Sequence, residues 1–153
     1  LGNIESITAP GTIVVNGVTV TVGSTTLQKD SSQANDPSLT FADLAIGNYV
    51  EVRGYSSGTA ANTIAAIILE RDDPNNRFEI QGLAGSLSDP TLVILGVTAN
   101  TAGAVFRDIN DQPISRATFF AQANGKLVKV RGRTTPVPNT PFVADEEVQL
   151  ESP

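Results

Sequence analysis

The chain has 153 residues, of which 40% are hydrophobic and 17% charged, so it is apolar enough to bury a core. It contains no Cys, His, Met or Trp, which excludes disulfide scaffolds, Cys or His zinc sites and catalysis by a Ser-His-Asp triad. Sixteen acidic against ten basic residues give a net charge of −6, and an acidic protein repels a phosphate backbone. We therefore expect a folded protein that is not an enzyme and uses no metal or cofactor.

A strand pattern begins near the N-terminus and leads into a hairpin. Residues 3–8 alternate loosely, and β-branched runs at residues 12–15 and 18–22 flank Asn16-Gly17. Asn-Gly between two such runs predicts a two-residue type I′ turn, because this turn needs a positive φ at both central residues. Valines alternate with threonines in the second run, which predicts one buried face and one polar face.

A long polar stretch and a short helix are expected after the hairpin. Residues 24–38 are polar and predict an irregular loop. Thr40 and Asp43 have the spacing of a reciprocal helix cap, and Gly47 is a typical helix end. The remaining apolar patterns of this half predict two strands, at residues 49–55 and 64–71.

The sequence repeats itself. The pattern G-x-x-V-x-V-R-G occurs at residues 47–54 and again at residues 125–132, and weaker matches extend along both halves. Such repetition indicates that one structural unit occurs twice. The predicted domain bounds are a first repeat at residues 1–72, a linker at residues 73–77 and a second repeat at residues 78–153.

The order of elements favours a small barrel. Each repeat has three strands, a short helix and two more strands, and in the second repeat Thr118 is expected to cap the helix and Gly125 to end it. This is the element order of an OB-fold. We therefore predict an all-β fold with one short helix per repeat, arranged as two tandem OB-like five-stranded Greek-key β-barrels. An SH3-like or other small barrel is the alternative.

Three segments of the first half carry a family resemblance. They are an I-x-V-N-G strand within residues 11–20, an L-x-x-G-x-x-V-x-V-x-G strand at residues 44–54 and an I-x-A closing strand within residues 64–70. Together they resemble a bacterial family of unknown function, usually tandem, in exported or lipid-anchored proteins. The second half matches more weakly, since Leu95 replaces Asn16. The resemblance implies a fold and export, and it assigns no activity.

Two rows of side chains are candidate binding surfaces. Alternation along the fourth strand of the first repeat is expected to expose Tyr49, Glu51, Arg53 and Tyr55 on one face. Tyrosine offers apolar area and a hydroxyl group at low entropic cost, so this row suits a sugar or a protein. The competing interpretation is that the row is an ordinary solvated strand face.

The same strand of the second repeat predicts a basic row. Lys129, Arg131 and Arg133 alternate onto one face. This row either binds a polyanion or, as we favour, pairs with acidic neighbours such as the residues at 145–147. The oxygen-rich residues 108–112 are interpreted as a polar turn and not as a calcium loop, because the glycine and distal glutamate of an EF-hand are missing.

These features favour a binding or structural role. Few lysines and abundant Thr, Ser, Asn, Gly and Ala are typical of a bacterial protein that is periplasmic, cell-surface or secreted. No apolar run reaches the ~18–20 residues of a membrane span. We predict a non-enzymatic module that presents barrel faces to an unidentified protein or cell-envelope polymer. The alternative is binding of an oligosaccharide or single-stranded nucleic acid, of which nucleic acid is disfavoured because the predicted face lacks aromatic residues to stack on bases.

Overall fold

A computed structural model describes residues 1–58 and 60–153. The chain is mainly β, as predicted, and divides into two compact units, Leu1–Asn75 (unit 1) and Asn76–Pro153 (unit 2). The first predicted repeat, residues 1–72, lies within unit 1, and the second, residues 78–153, lies within unit 2.

Unit 1 contains a closed five-stranded barrel. Its strands pair in the order β3-β2-β1-β5-β6, and a parallel pairing of β3 with β6 closes the ring. A sixth strand, β4, lies outside the ring and pairs in parallel with β6. The elements are β1 (Gly2–Thr8), β2 (Thr12–Val15), β3 (Val18–Thr21), β4 (Leu27–Asp30), a 3₁₀ turn (Phe41–Asp43), β5 (Tyr49–Ser56) and β6 (Thr63–Asp72).

Local sequence signals of unit 1 act as expected at two turns. Asn16 and Gly17 have φ values of 51° and 77°, so the predicted hairpin turn is confirmed. The carboxylate of Asp43 accepts a hydrogen bond from the Thr40 backbone N–H (2.8 Å), as the predicted cap requires, and a further one from the Thr40 hydroxyl (2.7 Å). The helix itself is only one 3₁₀ turn long.

The expectation of an irregular loop at residues 24–38 is wrong in part, because the segment contains β4. Leu27 lies opposite Ile68 and Asp30 lies opposite Arg71 in the parallel ladder with β6. The polar composition of this strand hides it from pattern analysis, since its Asp30 is 2% exposed and is stabilised by an ion pair and not by apolar packing.

Unit 2 uses the same sequence of pairings with a divided last strand. Its sheet has the order β10-β13-β11-β7-β8-β9-β12. The short strands β12 and β13 pair with β9 and β11, just as β6 alone pairs with β3 and β5 in unit 1. The elements are β7 (Phe78–Ser88), β8 (Thr91–Ile94), β9 (Val97–Asn100), β10 (Val105–Arg107), α1 (Arg116–Gln122), β11 (Leu127–Gly132), β12 (Phe142–Val143) and β13 (Glu147–Leu150).

The helix cap and the β8–β9 turn of unit 2 are not fully described by the sequence prediction. The helix cap is Ser115 and not Thr118, because the Ser115 hydroxyl accepts the Thr118 backbone N–H at 3.0 Å and leaves Thr118 inside the helix. The β8–β9 hairpin keeps its turn although Leu95 replaces asparagine: Leu95 and Gly96 have φ values of 49° and 72°. Packing and register therefore impose this turn on a residue that disfavours it.

Each unit has its own hydrophobic core. In unit 1 a single cluster fills the barrel, and its fully buried members include Ile4, Ile13, Val20, Val50 and Leu69. In unit 2 the buried ring of Phe119 on α1 packs against Phe106 on β10, with ring centroids 5.0 Å apart. The helix of unit 2 is therefore fixed by aromatic packing.

Candidate functional site

The outer surface of β5, β6 and β4 in unit 1 presents side chains in rows. Arg53 lies opposite Ile68, which lies opposite Leu27. Residues paired across a ladder point to the same face and have Cβ atoms about 4.5–5.5 Å apart. Arg53 and Leu27 therefore flank Ile68 on the outside of the barrel.

A β-bulge adds apolar area beside this row. The β5–β6 register shifts so that Arg53 opposes Ile68 and Gly54 opposes Ala66, which leaves Ile67 as the extra residue. Leu27, Tyr55 and Ile67 are 62%, 61% and 53% exposed. We call these three residues the apolar patch of unit 1.

Charged side chains border the apolar patch. Arg53 Nε donates to Glu51 Oε1 at 2.7 Å, and Lys29 Nζ lies 3.4 Å from Glu70 Oε1. A hydrogen bond from the Ser31 hydroxyl, together with Lys29, lowers the pKa of Glu70. The surface thus combines exposed apolar groups with fixed charges of both signs, as a protein-binding patch does.

One member of the predicted tyrosine row does not lie on this surface. Tyr49 is only 2% exposed, and its hydroxyl donates to Asn75 Oδ1 at 2.7 Å. The predicted exposure of Tyr49 is therefore wrong: the residue belongs to the interior at the end of β5. Glu51, Arg53 and Tyr55 do lie on the outer face.

The strand that carries Leu27 is held to the barrel by a charged pair. The carboxylate of Asp30 bonds the guanidinium of Arg71, through Nε at 3.1 Å and through Nη2, and also accepts the Ser32 backbone N–H at 3.0 Å. The bond from Arg71, followed by the bond from Ser32, lowers the pKa of Asp30 to about 2. The pair fixes the position of β4 and hence of one side of the apolar patch.

We expect Asp30 to make unit 1 sensitive to acid. Its pKa is lower in the folded protein than the ordinary 3.8, so ionised Asp30 stabilises the fold above about pH 4, and this stabilisation is lost as the pH falls towards 2. Asp30→Asn should lower the urea midpoint at pH 7, and the difference from the unchanged protein should shrink between pH 4 and pH 2. Asp73→Asn, at an exposed position, is the control. A difference that is independent of pH would contradict the assignment.

The predicted basic row of unit 2 consists of paired charges. Lys129 Nζ lies 2.5 Å from Glu151, and Arg131 bonds Glu79 at 2.6 Å and Glu147 at 3.2 Å. Arg133 lies 3.3 Å from Glu146. A hydrogen bond from Arg77 contributes most to lowering the pKa of Glu146. This arrangement agrees with the interpretation that the row pairs with acidic neighbours.

Equivalent positions of the two units therefore have opposite chemistry. Arg53-Gly54-Tyr55 on β5 corresponds to Arg131 and Gly132 at the end of β11 and to Arg133 directly after it. Ile68 opposite Arg53 corresponds to Glu147 opposite Arg131. In unit 2, Arg131 and Arg133 are paired with carboxylates, and Leu83 and Val105 are exposed singly, whereas Leu27, Tyr55 and Ile67 are exposed near one another in unit 1. Unit 1 is thus the better candidate for a binding surface.

The oxygen-rich segment at residues 108–112 is a closed turn. Asp108 Oδ1 accepts the backbone N–H groups of Asn110 (2.8 Å) and Gln112 (2.9 Å). Within residues 1–58 and 60–153, no group of three His, Cys, Asp or Glu side chains could hold a metal ion. The described part of the chain also has no helix of the length and apolarity needed to cross a membrane.

Comparison with known families bears on unit 1. Residues 2–66 match the family model described as domain of unknown function (DUF5666). The resemblance to a family of unknown function is thereby confirmed for the segment from β1 into β6. The DUF5666 segment includes Leu27 and Tyr55 of the apolar patch but not Ile67, which follows the segment directly. No curated protein and no solved structure matched the chain.

Sequence patterns did not reveal two of the three patch residues. Leu27 lies in a strand that polar neighbours conceal, and Ile67 is exposed only because of the bulge in β6. A continuous apolar run such as residues 64–69 normally indicates a strand buried on both faces. The run itself was one usable signal. Because residues 64–69 have no polar residue at alternate positions, their strand must have an apolar outer face unless a second layer covers it.

Proposed function

We propose that the chain is a non-enzymatic binding module of an exported bacterial protein, and that the apolar patch of unit 1 is its contact surface. The observation that carries this proposal is the exposure of Leu27, Tyr55 and Ile67 together on one barrel face, next to Arg53. The partner is a protein or a cell-envelope polymer. Large exposed apolar side chains that lie together and are bordered by polar groups mark interaction surfaces.

The strand pairings support an OB-like assignment for both units. An OB-fold joins its five strands in the order 1-2-3-5-4 and closes between the first and fourth. The ring of unit 1 runs β1-β2-β3-β6-β5. When β4 is left out because it lies outside the ring, β5 is the fourth strand and β6 the fifth, so the order matches, and the parallel pairing joins the third and fifth strands. Unit 2 has the same pairings, which supports a tandem arrangement of OB-like barrels.

The state of the carboxylates supports a role without catalysis. A general acid or base needs a pKa near the working pH, which usually means a carboxylate whose pKa is raised. In Asp30, Glu70 and Glu146 the pKa is lowered by bonds to neighbouring arginine, lysine or serine side chains. These groups stay ionised at neutral pH. Burial raises the pKa of Glu5, but its carboxylate accepts the Gly17 backbone N–H at 3.2 Å and so belongs to the β2–β3 turn.

The contact surface is tested by cross-linking from its centre. A photoreactive amino acid at position 55 should cross-link to one protein or to cell-wall polymer in a bacterial envelope fraction, whereas the same group at position 83 should not. Leu83 is a matched control because its side chain is 66% exposed but lies in unit 2. Equal labelling from both positions would contradict the proposal.

A double substitution tests the same surface by affinity. Leu27→Ser with Tyr55→Ser removes most of the apolar area and should weaken binding of the cross-linked partner at least about tenfold, since these side chains resemble interface anchors. Far-UV circular dichroism should stay unchanged because both residues are exposed. A glycan array and anisotropy with labelled oligonucleotides test the alternative ligands, and micromolar binding of an oligonucleotide at physiological salt would replace this proposal.

A further inference from the structure

The charges beside the apolar patch of unit 1 cancel, although the unit as a whole is acidic. Residues 1–75 contain eight acidic and three basic side chains. Two of the three basic side chains border the patch, and each is paired there with a carboxylate: Lys29 with Glu70 at 3.4 Å and Arg53 with Glu51 at 2.7 Å. These four bordering side chains therefore carry no net charge.

This balance favours one class of partner. An acidic cell-envelope polymer is attracted by cations that protein carboxylates do not already neutralise, and both cations of this face are neutralised. Two copies of a chain with a net charge of −6 repel each other, so they can associate only over a surface whose own charges complement one another. The patch suits a second copy of the chain if its two sides carry opposite charges.

Opposite charges do lie on the two sides of β6. Glu51 on β5 and Lys29 on β4 flank Glu70 on β6. In an isologous dimer the same patch faces itself, and a two-fold axis that runs along β6 turns the β5 side of one copy towards the β4 side of the other. Glu51 of each copy then faces Lys29 of the other. The face is thus complementary to itself, with two identical ion pairs.

The apolar groups are placed for the same contact. Ile67 is exposed and Ile68 is half-buried, and both lie on β6, so each meets its own counterpart at the axis. Leu27 and Arg53 flank Ile68 on β4 and β5, so Leu27 of one copy meets the aliphatic stem of Arg53 of the other. Sheets that pack face to face keep their strands within about 30° of each other, and an axis along β6 satisfies this condition.

We propose that the chain forms a two-fold symmetric dimer in solution through the outer face of β5, β6 and β4, with the apolar patch in the interface and a Glu51–Lys29 ion pair on each side of it. This inference rests on the proposed function, because it takes the same patch as the contact surface and identifies its occupant as a second copy of the chain. One contact opposes the dimer, since the two Glu70 side chains meet at the axis.

Sedimentation equilibrium of the complete chain measures the association. One face of a small barrel is at the lower end of interface sizes, so we expect a weak dimer that is populated between about 10 µM and 1 mM chain. The average mass should rise over this range from 16.0 kDa towards twice that value. Leu27→Ser with Tyr55→Ser should keep the chain monomeric, because it removes most of the exposed apolar area.

Charge substitutions test the pairing across the axis. Glu51→Lys places like charges at both Glu51–Lys29 contacts and should weaken the dimer at least about tenfold. Lys29→Glu should have a similar effect. An equimolar mixture of the two single variants should associate again, because both contacts of the mixed dimer then join opposite charges. Far-UV circular dichroism should stay unchanged, since neither residue is buried.

The matched control is Asp73→Lys, at an exposed position beyond the end of β6. It reduces the net negative charge of the chain by two, as Glu51→Lys does. Unspecific association of an acidic protein becomes stronger when its net charge falls. Asp73→Lys should therefore not weaken the dimer, and weakening by Glu51→Lys alone identifies a specific contact.

Glu70→Gln tests the position of the axis. It removes the like charges that meet there and should tighten the dimer severalfold. Damage to the fold does not produce a tighter dimer, so this gain separates a contact at the axis from a structural effect. A weaker dimer after this substitution would overturn an axis along β6.

Two further results would overturn the proposal. The first is a chain that stays monomeric at about 1 mM. The second is a dimer that neither Glu51→Lys nor Lys29→Glu weakens, because its interface would lie elsewhere. Cross-linking from position 55 separates this failure from failure of the proposed function. A monomeric chain that cross-links to another envelope component retains the patch as a contact surface, whereas a monomeric chain without any adduct contradicts both proposals.

Discussion

Replacing Phe119 with Ala is expected to lower the free energy of unfolding of unit 2 by about 3–5 kcal/mol. The side chain is completely buried, and its ring lies 5.0 Å from Phe106 and 5.5 Å from Phe120. Truncation leaves a cavity between α1 and the barrel and removes the aromatic contacts that hold the helix. Urea denaturation followed by far-UV circular dichroism measures the change.

The control for this experiment is Leu83→Ala in the same unit. Leu83 is about as large but is 66% exposed, so its truncation should change the stability of unit 2 by no more than about 0.5 kcal/mol. Both tyrosines of the chain, Tyr49 and Tyr55, lie in unit 1, so tyrosine fluorescence reports on that unit separately. Equal losses in the two variants would contradict a core role for Phe119.

Replacing Gly132 with Ala is expected to destabilise unit 2 by about 1–3 kcal/mol or more. A Cβ atom at this position would lie 2.0 Å from the Val143 carbonyl oxygen, and backbone cannot move away as a flexible side chain does. Gly54 in unit 1 has the same constraint, with the Ala65 carbonyl oxygen 2.1 Å from a built Cβ. The glycine that ends each G-x-x-V-x-V-R-G motif is thus required by the close approach of the next strand.

Gly85→Ala is the matched control for Gly132→Ala. Gly85 also lies in a strand of unit 2, but no atom lies within 4 Å of a Cβ built on it. The substitution should be neutral or should stabilise the protein by about 0.4–1 kcal/mol, because alanine restricts the unfolded chain. Thermal melts of the two variants side by side measure the contrast. If the Gly132→Ala and Gly85→Ala proteins had the same melting temperature, the close approach of the Val143 carbonyl oxygen would not be what requires a glycine at position 132.

The sequence predicted those parts of the fold that local chemistry determines. The Asn16-Gly17 turn, the Thr40 cap and the alternation in β3 each depend on neighbours within a few residues, and each is present. The G-x-x-V-x-V-R-G motif predicted a strand, and both of its copies lead into one, β5 and β11. Local signals of this kind are sufficient where no distant partner competes with them.

Errors arose where a distant partner decides the structure. The strand β4 exists because Asp30 bonds Arg71, which is 41 positions away in the sequence. Tyr49 is buried because Asn75, beyond the end of β6, accepts its hydroxyl. The residue spacing within 24–38 or 49–55 does not contain this information. The polar composition of residues 24–38 therefore predicts a loop, and the alternation along residues 49–55 predicts an exposed Tyr49.

The candidate site was only partly predictable for the same reason. Glu51, Arg53 and Tyr55 follow from simple alternation along β5, and the structure has them on one face. Leu27 and Ile67 join them through the parallel β4–β6 pairing and the bulge, which bring sequence-distant residues together.

The parallel pairing that closes unit 1 has a consequence for how the chain folds. It joins Thr19 to Thr63 and Val20 to Ile64, so ring closure requires contact between segments more than 40 residues apart. Loops of that length close at a substantial entropic cost, and barrels dominated by such contacts fold in milliseconds to seconds. The β2–β3 and β5–β6 pairs can each form from local contacts, whereas the β3–β6 pairing must join distant segments. Until that pairing forms, the growing chain exposes two strand edges to its neighbours during synthesis.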